Sequence, residues 1–179
     1  EEGRALAKIN HPNVVRVLNF FRENETVYMV MRYERGRTLQ EHIHQRRGLI
    51  REEWIRGTFA SLLNGLREVH SNKLLHLDIK PGNIYVRNDG APVLIDFGAA
   101  RQAVTRQSRG LTAIVTEGYA PYEQYETDSH QGPWTDIYAL GAVLYHCVTG
   151  RRPPEAPKRI AAQLRKQPDP MVPAGADLD

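Results

Sequence analysis

One eight-residue run, His76-Leu77-Asp78-Ile79-Lys80-Pro81-Gly82-Asn83, gathers a carboxylate, a cation and an amide at close spacing. Asn83 follows Asp78 by five positions, and Asp96-Phe97-Gly98 begins thirteen positions after Asn83. Between them, Asn83 to Arg87 and Val93 to Ile95 read as short strands around Asn88-Asp89-Gly90, a strong hairpin turn signal. The hairpin therefore returns Asp96 to the neighbourhood of Asn83. Two oxygen donors from facing loops suit a hard cation such as magnesium, with phosphate oxygens and water completing the shell. Asp78 is then left to orient a hydroxyl and take its proton, while Lys80 neutralises a phosphate. Positioning groups, metal ligands and one cation are the inventory of phosphoryl transfer.

The elements that must hold these residues follow from periodicity. Residues 1–9 read as the end of a helix, broken by His11-Pro12-Asn13. Val14 to Phe21 and Thr26 to Tyr33 are rich in β-branched and aromatic residues and form a hairpin, with Gly36 ending the second strand. Thr38-Leu39-Gln40-Glu41 fits a capping box, so a short helix begins at Thr38. Ile55, Phe59, Leu62, Leu63, Leu66 and Val69 repeat at helical spacing and predict a helix over 52–71, with Glu52 and Glu53 at its positive end. Gly98 to Pro133 has no sustained period and reads as a long functional loop. Thr135 to Thr149 is a nearly all-apolar helix, expected in the middle of a helical layer, and a weaker helix spans 158–166. The order is hairpin, helices, hairpin, helices, without repeated strand-helix-strand units, so the fold class is α+β.

Composition bounds the alternatives. The chain has 179 residues, 41% hydrophobic and 25% charged, close to the soluble globular average. Twenty-four Lys and Arg face 21 Asp and Glu, a formal charge of +3, with no nucleic-acid motif. A mixed-charge solvated surface is the simpler account, and no nucleic-acid partner is expected. A single cysteine forms no internal disulfide, and Cys147, inside the apolar helix, reads as inert core. His42 and His44 have no further ligands at metal spacing. The apolar run from Ile137 to Val148 is too short to span a bilayer.

The motifs, in order along the chain, resemble those of a protein kinase, in particular the bacterial serine/threonine kinases of eukaryotic type. His76 to Asn83 looks like the catalytic loop and Asp96-Phe97-Gly98 like the metal-binding motif. Glu2 stands at the spacing of the helix-C glutamate, and Tyr28 to Tyr33 looks like the last small-lobe strand entering the hinge. Thr116 to Gln124 is similar to the end of an activation segment, and Asp136 to Gly141 to the start of the large-lobe central helix. The resemblance implies a two-lobe fold: a partial small lobe over 1–33, a hinge over 34–37, a large lobe over 38–167 and a tail over 168–179. It implies a cytoplasmic enzyme using ATP and Mg2+, with Mn2+ as an alternative, on protein Ser/Thr hydroxyls, and membrane attachment only through segments outside this chain. Asp78 would be the base, Asn83 and Asp96 the metal ligands, and Lys80 the phosphate contact. Thr116 would help to hold Asp78 and Lys80. Met31 would be the gatekeeper, the backbone of Arg32 and Glu34 would meet the adenine edge, and Tyr85 would floor its pocket. Leu6, Val17, His76 and Phe97 would stack as a spine anchored on Asp136, and Glu123 would lock the activation segment.

Three departures qualify the likeness. Leu77 replaces the arginine usual before the catalytic aspartate, which implies an activity not strongly dependent on phosphorylation of the candidate sites Thr105, Ser108 and Thr112. Pro121-Tyr122-Glu123 stands where Ala-Pro-Glu is usual, and Tyr85 where a smaller residue is common. By the same likeness the chain begins at helix C, after the glycine-rich loop and its lysine, and ends before the large lobe closes. The 179-residue piece alone is therefore expected to be inactive. A pseudokinase or interaction module, and a small-molecule phosphotransferase of kinase-like fold, remain the rival readings. The first keeps all three chemical residues against it, the second the Thr116 to Gln124 segment.

Overall fold

The structure, a computed structural model, describes residues 6–45, 50–97, 115–126 and 128–173. Glu2, Gly98, Thr105, Ser108 and Thr112 lie outside the described residues.

Strands β1 (Val17–Glu23) and β2 (Thr26–Met31) pair antiparallel as a hairpin. β1 begins later than its β-prone run because the preceding residues bond elsewhere. Val15 N–H donates to Leu94 O at 2.9 Å, and Val14 bridges Leu94 in parallel. Gly36 does not end β2: it opens a separate strand, β3 (Gly36–Thr38). β3 pairs antiparallel with β4 (Ile84–Arg87), which pairs with β5 (Pro92–Leu94). The reason is close approach: a Cβ at Gly36 would stand 2.0 Å from Val86 O, so only glycine lets these backbones meet.

Helix α1 (Leu39–Gln45) starts on the capping box, with Thr38 Oγ1 accepting from Glu41 N–H and Glu41 Oε2 accepting from Thr38 N–H at 2.7 Å. Helix α2 (Glu52–Ser71) buries Ile55, Phe59, Leu62, Leu66 and Val69, the stripe its periodicity marks. Helix α3 (Pro133–Thr149) starts two residues before its apolar run because Pro133 suits a first turn. Helix α4 (Ala156–Leu164) sits two residues earlier than its pattern suggests, again with a proline in its first turn. The segment 115–126 carries only a 3-10 turn, Tyr122–Gln124.

Two apolar cores flank the run from His76 to Asn83. One joins α1, α2 and α3 with Ile79, Ile84 and Leu94. The other joins Leu6, Ile9, Val14, Val15 and Val17 to Val69, Leu74, Val93 and Phe97. Helix α3 meets its mid-layer expectation on one side: Ala139, Leu140, Val143 and Cys147 are buried, while Ile137, Leu144 and Val148 form an exposed stripe.

Candidate active site

The run from His76 to Asn83 hangs from one buried carboxylate. Asp136, in the first turn of α3, is fully buried. Its Oδ2 accepts the His76 N–H at 2.9 Å and the His70 ring Nε2 at 2.8 Å, and its Oδ1 accepts the Leu77 N–H at 2.8 Å. Leu77 has φ 62, a left-handed conformation that costs an ordinary residue roughly 1–2 kcal/mol. It holds because both backbone polar groups are pinned: its carbonyl accepts from Gln124 Nε2 at 2.9 Å.

His76 is a strut rather than a base. Its Nδ1 accepts from Asp78 N–H at 3.3 Å, so Nε2 carries the hydrogen and donates to Ile95 O at 3.1 Å. Complete burial pushes its pKa down against the pull of Asp136, Asp78 and Asp96, which keeps the ring neutral. The ring lies 4.4 Å from that of Phe97, and Leu6, Val17 and Phe97 share the second core. Leu6, Val17 and Phe97 thus share one core, and His76 meets it through the Phe97 ring.

Asp78 is the focus of the cluster. Lys80 Nζ donates to both its oxygens, at 3.1 and 2.8 Å. Thr116 Oγ1 donates to Oδ1 at 2.7 Å and accepts from Lys80 Nζ at 3.3 Å. Asn83 Nδ2 donates to Asp78 Oδ2 at 2.9 Å and to its carbonyl at 2.8 Å. Both amide hydrogens of Asn83 face Asp78, which turns its amide oxygen to the other side. The β4–β5 hairpin closes the distance to Asp96, since Ile95 N–H donates to Asn83 O at 2.9 Å. Asp96 takes φ 57, a left-handed turn that ends the hairpin. An amide and a carboxylate oxygen fit a hard cation completed by phosphate oxygens. Among the described residues no group of three or more His, Cys, Asp or Glu could hold a metal by itself.

Thr116 is held from below. Tyr119 and Ala120 N–H donate to Thr116 O, at 3.2 and 3.0 Å. The Tyr119 hydroxyl, its pKa pushed up to about 12 chiefly by burial, shares a hydrogen bond with His146 Nδ1 at 2.6 Å. Arg152 donates its Nε and Nη2 to Glu117 O and lies over the Tyr119 ring. Glu123 Oε1 accepts from Thr135 Oγ1 at 2.9 Å, which fastens the segment to the first turn of α3.

After β2, Arg32 N–H donates to Arg16 O at 2.8 Å, and Met31 and Tyr85 pack against the second core. The Tyr85 hydroxyl donates to Gly36 O at 2.9 Å. The Glu34 carboxylate is paired with Arg87. Sequence reading missed His70, Gln124, Tyr119, His146 and Arg87. Gln124 lay inside a matched motif, but His70 and Arg87 meet partners more than fifty residues away and carry no local signal.

A loop hung on a helix carboxylate, with an Asp-Phe pair at the end of the neighbouring hairpin and a second apolar core beside it, defines a protein-kinase type of fold. The chain belongs to the protein kinase family, whose protein kinase domain matches residues 1–172. It is 34% identical over 155 residues to mouse sperm motility kinase 2B, covering 87% of this chain and 32% of that protein. It is 37% identical over 150 residues to the human serine/threonine-protein kinase Nek5, covering 83% of this chain and 21% of that protein. Among solved structures it is similar to the PpkA-294 apo form, with a TM-score of 0.77 and 38% identity, covering 96% of this chain and 58% of the other. The chain thus spans about a third or less of the curated relatives it matches.

Proposed function

We propose that these residues form the catalytic centre of a serine/threonine protein kinase that moves the γ-phosphate of ATP to Ser or Thr hydroxyls of proteins. The observation that carries this is the closed set Asp78, Lys80, Asn83 and Thr116, in which every side chain touches Asp78. Asp78 orients the acceptor hydroxyl and takes its proton, and Thr116 and Asn83 fix which way its oxygens face. Lys80, already between Asp78 and Thr116, reaches the transferring phosphate. Asn83 and Asp96 would hold Mg2+, or Mn2+, which supplies charge neutralisation for the phosphates. Met31, the backbone of Arg32 and Glu34, and Tyr85 would line the adenine site. Leu6, Val17, His76 and Phe97 would form the spine, and Glu123 the lock on the activation segment. The resemblance to bacterial kinases of eukaryotic type supports a cytoplasmic enzyme. Among the described residues no helix is long and apolar enough to cross a membrane.

Replacing Asp78→Asn in the full-length protein tests this. Phosphate transfer to protein should fall by at least ~10²-fold, the usual scale of general base catalysis, with ATP still bound. Near-normal turnover in that variant would refute the assignment.

A further inference from the structure

Arg87, the last residue of β4, has no part in the roles above, yet one guanidinium there joins three segments. Its Nε donates to Glu34 Oε2 at 2.6 Å and its Nη2 to Glu34 Oε1 at 3.0 Å. Its Nη1 donates to the Pro12 carbonyl at 2.9 Å. The pair is largely shielded, with side-chain exposures of 22% for Arg87 and 12% for Glu34. Arg87 therefore ties the hinge to the β4–β5 hairpin and to the turn that leads into β1. Other bonds run in parallel: Asn88 N–H to Arg35 O at 3.0 Å, and Asn13 Nδ2 to Pro92 O at 2.8 Å. Gly36, two residues after Glu34, stands opposite Arg87 in the β3–β4 register.

We propose that Arg87 is a positioning residue for nucleotide binding: it clamps Glu34 so that the hinge backbone is fixed before the nucleotide arrives. This rests on the reading of residues 31–34 as the adenine site. A forked Arg–carboxylate pair constrains orientation as well as distance, which a lysine cannot reproduce. Ordering the hinge in advance removes that cost from the binding step. The Glu34 carboxyl is held below the usual range, chiefly by its Arg87 hydrogen bonds, so the pair is charged at neutral pH.

The test uses the full-length protein with MgATP and a peptide acceptor. Arg87→Ala should raise the KM for ATP about tenfold, in keeping with loss of a charge-assisted bidentate pair. The peptide KM and the kcat at saturating ATP should stay within about twofold. Arg87→Lys should recover only part of the loss. Glu34→Arg combined with Arg87→Glu should bind ATP more tightly than either single change. Arg56→Ala, which breaks an exposed pair with Glu52 on α2, serves as the control and should change nothing. An unchanged ATP KM in Arg87→Ala, or equal losses in ATP KM, peptide KM and kcat, overturns the clamp. ATP binding without peptide phosphorylation by the wild-type protein would remove the kinase reading and leave the clamp standing. Wild-type phosphorylation with unaltered ATP affinity in Arg87→Ala would remove the clamp alone.

Discussion

Asp136 carries more of the site than any residue that would touch substrate. Its two oxygens satisfy the backbone of His76 and Leu77 and the ring of His70. Replacing Asp136→Ala strands the buried His76 N–H and the half-buried Leu77 N–H, each worth about 1–3 kcal/mol, partly offset by relief of the left-handed Leu77. Urea unfolding should therefore show a loss of about 2–5 kcal/mol; a loss under ~1 kcal/mol would mean the loop is anchored elsewhere. At this scale the sequence was most legible where chemistry fixes spacing. Asp78, Asn83 and Asp96 stand on one loop and one hairpin, so local geometry brings them together. His70 and Arg87 were illegible for the opposite reason: their partners are Asp136 and Glu34, and only the folded chain makes them neighbours.

Helices were read well and strands less so. The apolar stripe of α2 repeats over five turns, so its limits fell where expected. β3 is three residues long and exists because Gly36 can approach Val86, which is a tertiary fact without a periodic signal. Helix starts at Pro133 and Ala156 came earlier than the apolar pattern because prolines open them. The turn under Thr116 yields a sharp contrast between two glycines. Gly118 has φ 79, and an added Cβ would lie 2.6 Å from the Pro153 carbonyl, a backbone atom with little room to move. Gly118→Ala should cost about 1–3 kcal/mol and displace Thr116, lowering kcat. Gly57 in α2 has open space around it, so Gly57→Ala should gain about 0.5–1 kcal/mol without touching catalysis. Equal melting shifts for the two variants would contradict this account of the turn.

For the whole molecule, two buried histidines make stability fall on the acid side of neutrality. His76 faces Asp136, Asp78, Asp96 and the Ile95 carbonyl; His146 faces Tyr119, His44 and Arg152. Burial pushes both below the ordinary 6.5, so the unfolded chain takes up these protons first. The stability that depends on their neutrality is complete above about pH 6.5 and declines as pH falls below it. The urea midpoint should drop between pH 7.5 and 5.5, and His146→Gln should shrink that drop; a flat profile would count against both rings being held neutral. The α+β architecture followed from the order of hairpins and helices, whereas the division into two cores is seen only in the folded chain. The exposed stripe on α3 did not, because an all-apolar helix does not say which of its faces is covered. The pinning of residues 76–77 by Asp136 also has a bearing on synthesis. The acceptor for those two amides emerges from the ribosome about sixty residues after its donors. At ~5–20 residues per second the nascent catalytic loop waits roughly 3–12 s with no carboxylate to hang from. Its shape is therefore imposed late, by the helix that follows, and not by the strands that precede it.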